Sequence, residues 1–174
     1  MEIGESFIGS GGEAAHLNTV LGLRDGPVGG AWATALATPS AGHAAFVVVL
    51  QPGLPVLPFT LFVNKARIDG EDHARMTWGP AQAGVAAGVA DAVADGTIDV
   101  DAVNALVCIA AVWVDPAARD ADLVFANNRE AMAGALALGR AGLPSVTAVV
   151  AQRDAAWNPF YLPARAAAPR APDA

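Results

Sequence analysis

Four side chains in this sequence could share acid–base and hydrogen-bonding chemistry: His16, Asn18, Lys65 and Gln82. In "GEAAHLNTVLG" (12–22) Leu17, Thr19 and Leu21 alternate with His16, Asn18 and Val20, which is the period of a β-strand. An imidazole and a carboxamide therefore stand two residues apart on one face, either as a satisfied polar pair in a core or as the working end of a site. An imidazole can give up a proton and recover it near neutral pH. Lys65 is the only lysine among ten basic residues. That is either chance at a strand end or a position that requires an amine. Gln82, in "WGPAQAGVA" (78–86), follows Pro80, a residue suited to the first turn of a helix. At a helix start it would offer a donor and an acceptor to a heterocycle's edge, beside the free N–H groups of the first turn. An ordinary solvent-facing glutamine is the plainer reading of the pattern.

Other chemistries find less support. "GSGGE" (9–13) is glycine-rich, but a strand follows it where a phosphate-cradling loop needs a helix N-terminus, so it reads as a turn. The three histidines, His16, His43 and His73, lack metal-ligand spacing, and the single cysteine, Cys108, lies inside an apolar run. No metal site and no disulfide is expected. No G-x-S-x-G elbow is present to supply a hydrolase nucleophile.

The elements that must position these residues follow from the apolar patterning. A helix is expected over Pro27–Ala37, a buried strand over 44–50 ("AAFVVVL") and another over 59–68 ("FTLFVNKARI"). In the latter Leu61, Val63 and Lys65 share one face, opposite Phe62, Asn64 and Ala66. "GEDHARMTW" reads as a short helix ended by Gly79-Pro80, after which Pro80 starts a longer helix through Ala94 with Gly84 and Gly88 as a small-residue stripe for close packing. A strand over 103–114, a long amphipathic helix ending at Gly142 and a last strand, "PSVTAVVA" (144–151), complete the chain. The pattern predicts an α/β fold whose sheet is covered mainly on one face, in one domain over 1–163 with a disordered tail over 164–174.

Composition narrows the setting. The 174 residues are 54% hydrophobic and only 16% charged, a balance that hints at surface buried between subunits. A net charge of −7 argues against nucleic-acid or acidic-membrane partners. With no apolar run of membrane-spanning length and no signal-peptide pattern, a cytoplasmic location is expected.

Several stretches together resemble the formaldehyde-activating enzyme family. "GESFIGSGGEAAHLNTVLG" is similar to that family's "GEALVG-G-NEVAHIDLIIG", and "NKARI" to its "NKVTI". "WGPAQAGVAAGVADAVADG" is similar to "FGPAQHGVAMAVQDAVAEG", and "AQRDAAWNPF" to "EQRKSATHPF". The resemblance implies a two-layer α/β sandwich with a left-handed βαβ crossover, assembled as a homopentamer with sites between subunits. It implies condensation of formaldehyde with tetrahydromethanopterin, a co-substrate, to the methylene derivative and water, with no bound cofactor or metal. The family's catalytic histidine falls on His16, and its substrate contacts fall on Asn18, Val47, Lys65, Arg67 and Gln82. At three of these the type differs, with Asn18 for aspartate, Val47 for leucine and Arg67 for threonine, and a further family histidine aligns with Val114. Two other readings stay open at this level: a repurposed paralogue acting on another aldehyde, amine or carbinolamine, and a non-catalytic pterin- or formaldehyde-binding protein.

Overall fold

The structure, a computed structural model, describes residues 1–159, 161 and 163. Packing divides the chain into two units, Met1–Leu143 and Pro144–Ala174. In the first unit β1 (Glu2–Ile8) and β2 (Ala15–Leu23) pair antiparallel around a short 3₁₀ turn at Gly11–Glu13. Gly9 and Gly11 in that connection have φ of 81° and 66°, which explains why the stretch expected to turn is rich in glycine. Helix α1 spans Pro27–Ala37, with Pro27 in its first turn.

The apolar run 44–50 does not form one strand. It divides into β3 (Phe46–Val47), at the edge of the main sheet, and β4 (Val49–Gln51), which pairs with β5 (Leu54–Pro55) in a separate two-stranded ribbon. Val48, fully buried, sits between them. Strand β6 (Phe59–Asn64) then leads through α2 (Gly70–Met76) and α3 (Gln82–Ala94) to β7 (Leu106–Trp113), which lies beside β6 and parallel to it. This is a βαβ crossover between neighbouring strands. The main sheet is mixed, in the order β1-β2-β7-β6-β3.

Pro80 neither ends nor begins a helix. Thr77–Ala81 forms a π-helical turn that carries α2 into α3 without a break. The wider turn accommodates a proline, which has no N–H to give to the ladder. Gln82 consequently lies inside a continuous helical segment, and the expected free first turn is absent.

Helix α4 (Ala121–Arg140) is capped by Asp120, whose carboxylate accepts from the N–H groups of Asp122 and Leu123. With α3 it covers one face of the sheet, over Leu17 and Leu21 of β2, Cys108, Ala110 and Val112 of β7, and Phe62 of β6. Large apolar side chains buried in this way stabilise the fold by about 1.5–3 kcal/mol each. The glycine stripe does the expected work. A Cβ on Gly84 would come within 2.4 Å of the Phe125 carbonyl oxygen, and one on Gly88 within 2.6 Å of that of Arg129. Cys108 is fully buried in this core, and desolvation pushes its thiol up to about 12.

Within the first unit, the other face is mostly uncovered. Helix α1 packs against β2 and β7 there, with Val28 set against Gly22 at the end of β2 remote from His16. Six residues of strand, about 20 Å, separate Gly22 from His16.

In the second unit, the run 144–151 forms a helix from Val146 onward where a strand was expected. Helix α5 spans Val146–Ala151, and the Ser145 side chain caps it by accepting from the Ala148 N–H. The tail over 164–174, expected to be disordered, lies outside the described residues.

Candidate active site

The alternation of β2 is realised in the fold: Leu17, Thr19 and Leu21 are buried under the helices, while His16, Asn18 and Val20 lie half-buried on the open face. Pairing register then determines their neighbours. On β7, Trp113 stands opposite His16 and Ala111 opposite Asn18. On β6, Val63 stands opposite Ala111. Lys65 follows two residues later on the same face, its backbone N–H donating to the Val112 carbonyl. Its ammonium crosses β7 to donate to Asn18 Oδ1 at 2.7 Å. Two strand spacings separate β2 from β6, about 10 Å, and small Ala111 lets the aliphatic stem lie across the gap.

The structure adds a group that the site residues read from the sequence do not include. On β1, Glu5 stands opposite Asn18 and Phe7 opposite His16. From this diagonal position the Glu5 carboxylate reaches His16 Nε2 at 2.9 Å. Nε2 carries the hydrogen, because a carboxylate only accepts. The Phe7 ring lies 5.9 Å from the imidazole, centroid to centroid. The site is thus a row of four polar groups, Glu5–His16 and Asn18–Lys65, on an otherwise apolar sheet face. Antiparallel pairing of β1 is the signal that could have located Glu5.

Electrostatics follow from this row. Burial, and then the Lys65 ammonium, push the His16 imidazolium below the usual 6.5, and Glu5 opposes both. Burial likewise lowers Lys65, with Glu5 opposing.

Val47 and Gln82 are brought together elsewhere. With Ala44, Phe46, Val49 and Trp78 they line an open, largely apolar cavity of about 380 Å³ at the β3 edge. Gln82 Oε1 accepts from the Val49 N–H at 2.7 Å. Its acceptor is therefore occupied, and what it can offer a ligand is its amide N–H groups. Arg67 is exposed just beyond β6, its stem packed against Gly42. No hydrogen bond or ion pair joins Val47, Arg67 or Gln82 to the His16 row among the described residues.

The remaining histidines are structural. His73 is buried, accepting at Nδ1 from the Asp69 N–H and donating from Nε2 to the Val114 carbonyl, each at 3.0 Å. It thereby ties α2 to the chain just beyond β7. His43 Nδ1 donates to the Asn64 carbonyl at 2.9 Å.

Comparison with known proteins bears on this arrangement. The model of the formaldehyde-activating enzyme family matches residues 3–161. A 5,6,7,8-tetrahydromethanopterin hydro-lyase of Methanosarcina barkeri is 40% identical, over 91% of this chain and 89% of its own length. Two proteins named bifunctional enzyme Fae/Hps are also similar. That of Methanosphaera stadtmanae is 38% identical over 92% of this chain and 43% of its own, and that of Methanococcoides burtonii is 40% identical over 90% and 39%. The chain thus spans about two-fifths of the bifunctional relatives and nearly the whole of the hydro-lyase. On a family match that covers almost its full length, and on a relative of like extent, the chain belongs to the formaldehyde-activating enzyme family.

Proposed function

We propose that this protein condenses formaldehyde with tetrahydromethanopterin to methylene-tetrahydromethanopterin and water, with His16 as the general acid. The observation that carries the reading is an accessible imidazole on an open apolar sheet face, paired with a carboxylate at 2.9 Å, in a chain of this family.

Addition of a secondary amine of the pterin to formaldehyde gives a carbinolamine, and the barrier lies in expelling hydroxide. His16 as imidazolium transfers its proton to the hydroxyl oxygen. The C–O bond breaks with its electron pair on oxygen, water leaves, and an iminium remains. The second amine attacks that carbon, and its surplus proton returns to His16. The cycle consumes no net proton. General acid catalysis of this kind contributes about 10²–10⁴-fold. A lowered pKa makes the imidazolium a stronger acid while reducing its population at neutral pH. Holding the amine and aldehyde together supplies the rest.

Lys65 and Asn18 present an ammonium and a carboxamide beside His16 to the polar edge of the pterin. The cavity bounded by Val47 and Gln82 suits an apolar ring with an edge acceptor for the glutamine amide. Arg67 brings a fixed positive charge free to meet an anionic part of the substrate. His16 and the Val47–Gln82 cavity share no residue within one chain. Their separation and the open apolar sheet face support a homopentamer in which neighbouring subunits complete each site, located in the cytoplasm. The domain responsible is taken as residues 1–163.

Purified protein mixed with formaldehyde and tetrahydromethanopterin tests the reading. Methylene formation is expected to exceed the spontaneous rate and to lose that excess in His16→Ala. No acceleration by the wild type would refute it, and tight pterin binding without acceleration would mark a binding protein instead.

A further inference from the structure

Glu5 stands on the strand beside β2, and its reach to His16 depends on register alone. Asn18, the nearest side chain two residues along β2, is engaged by Lys65 Nζ at 2.7 Å and is not the imidazole's partner. Among the described residues about His16, Glu5 on β1 and Lys65 beyond β6 carry charge, whereas Phe7 and Trp113 do not. A carboxylate that accepts from Nε2–H pins the neutral ring in one tautomer and leaves the lone pair on Nδ1 free.

We propose that Glu5 is the positioning residue for His16: its carboxylate holds Nε2–H, makes Nδ1 the nitrogen that exchanges protons with the substrate, and supplies the counter-charge that uncharged Asn18 cannot. The proposal rests on His16 being the proton donor of the condensation. In the acid step the proton leaves from Nδ1–H to the carbinolamine oxygen, while Nε2–H stays on Glu5 throughout. In the return step the surplus proton of the second amine lands on Nδ1. The carboxylate favours the imidazolium in between, against burial and the Lys65 ammonium.

Glu5→Gln separates charge from geometry, because the amide oxygen can still accept from Nε2–H. Glu5 is more than half exposed, with 58% of its side chain accessible, so neither this change nor Glu5→Asp threatens the fold. The imidazole nitrogens are followed by ¹H–¹⁵N correlation across a pH titration, and steady-state rates are measured in parallel. The wild type is expected to show the Nε2–H tautomer. In Glu5→Gln the His16 midpoint moves to lower pH, kcat at pH 7 falls about threefold to tenfold with KM within twofold, and the alkaline limb of the rate profile moves the same way. Glu5→Asp recovers most of the loss. An unchanged midpoint in Glu5→Gln, or a wild-type Nδ1–H tautomer, overturns the proposal whether or not the protein accelerates the reaction. Absence of acceleration in the wild type, with the titration as expected, sinks the proposed function and leaves the Glu5–His16 assignment standing.

Discussion

Replacing His16 with alanine tests the reading most directly, because the structure separates loss of chemistry from loss of fold. The imidazole lies on the open face with 37% of its side chain accessible, outside the buried cluster that joins sheet and helices. Its ion pair with Glu5 is a partly exposed contact of the kind worth about 0–1 kcal/mol. The tilted contact with Phe7 adds about 0.5–1.5 kcal/mol at most. Alanine fits the β2 backbone, and the ladders to β1 and β7 stay intact. The expected loss is therefore no more than about 2.5 kcal/mol, within the ordinary range for point changes. The expected loss in catalysed rate is about 10²–10⁴-fold. The assay follows methylene-tetrahydromethanopterin formation, subtracts the spontaneous rate at each formaldehyde concentration, and pairs each rate with a thermal melt. A variant that melts near the wild type and keeps its acceleration to within threefold would refute the acid role. A variant that has unfolded at the assay temperature would refute the packing argument.

Other predictions concern the supports of the site. Lys65→Met removes the ammonium that depresses His16, so the imidazole midpoint should rise, read by NMR titration, while KM for the pterin increases; a midpoint that falls would contradict the charge arrangement. Gln82→Leu strands the Val49 N–H, which should cost about 1–3 kcal/mol in a denaturant melt and raise KM for the pterin more than it lowers kcat. Gly88→Val forces a side chain into the Arg129 carbonyl and the Met132 Cβ, and should destabilise the protein by at least about 1–3 kcal/mol. A melting temperature equal to the wild type's would mean that α3 and α4 are not in close contact.

The sequence by itself determined what rests on local periodicity. Alternation along 15–23 was enough to set His16 and Asn18 on the face opposite Leu17 and Leu21, since side-chain direction in a strand depends only on counting by two. The same holds for Lys65 with Val63 beyond β6, and for the glycines of α3, whose spacing implied a close neighbour without naming it. Where local signals conflict, that reading failed. Val146, Val149 and Val150 favour a strand by type, but a six-residue run carries too little periodicity to exclude a helix, and the Ser145 cap decided for α5. Pro80 normally marks a helix start, and only the insertion of a π turn lets the chain continue through it.

The composition of the site was decided by tertiary structure alone. Glu5 meets His16 because β1 pairs with β2 in one register and not another; a slip of a single residue would turn it to the opposite face. Lys65 meets Asn18, 47 positions away in sequence, because the βαβ crossover returns β7 alongside β6 and places small Ala111 between them. Gln82 spends its acceptor on Val49 through packing of α3 against β4. Periodicity fixes the direction in which a side chain points, whereas its neighbour depends on strand order and register, which are set by packing across the whole sheet.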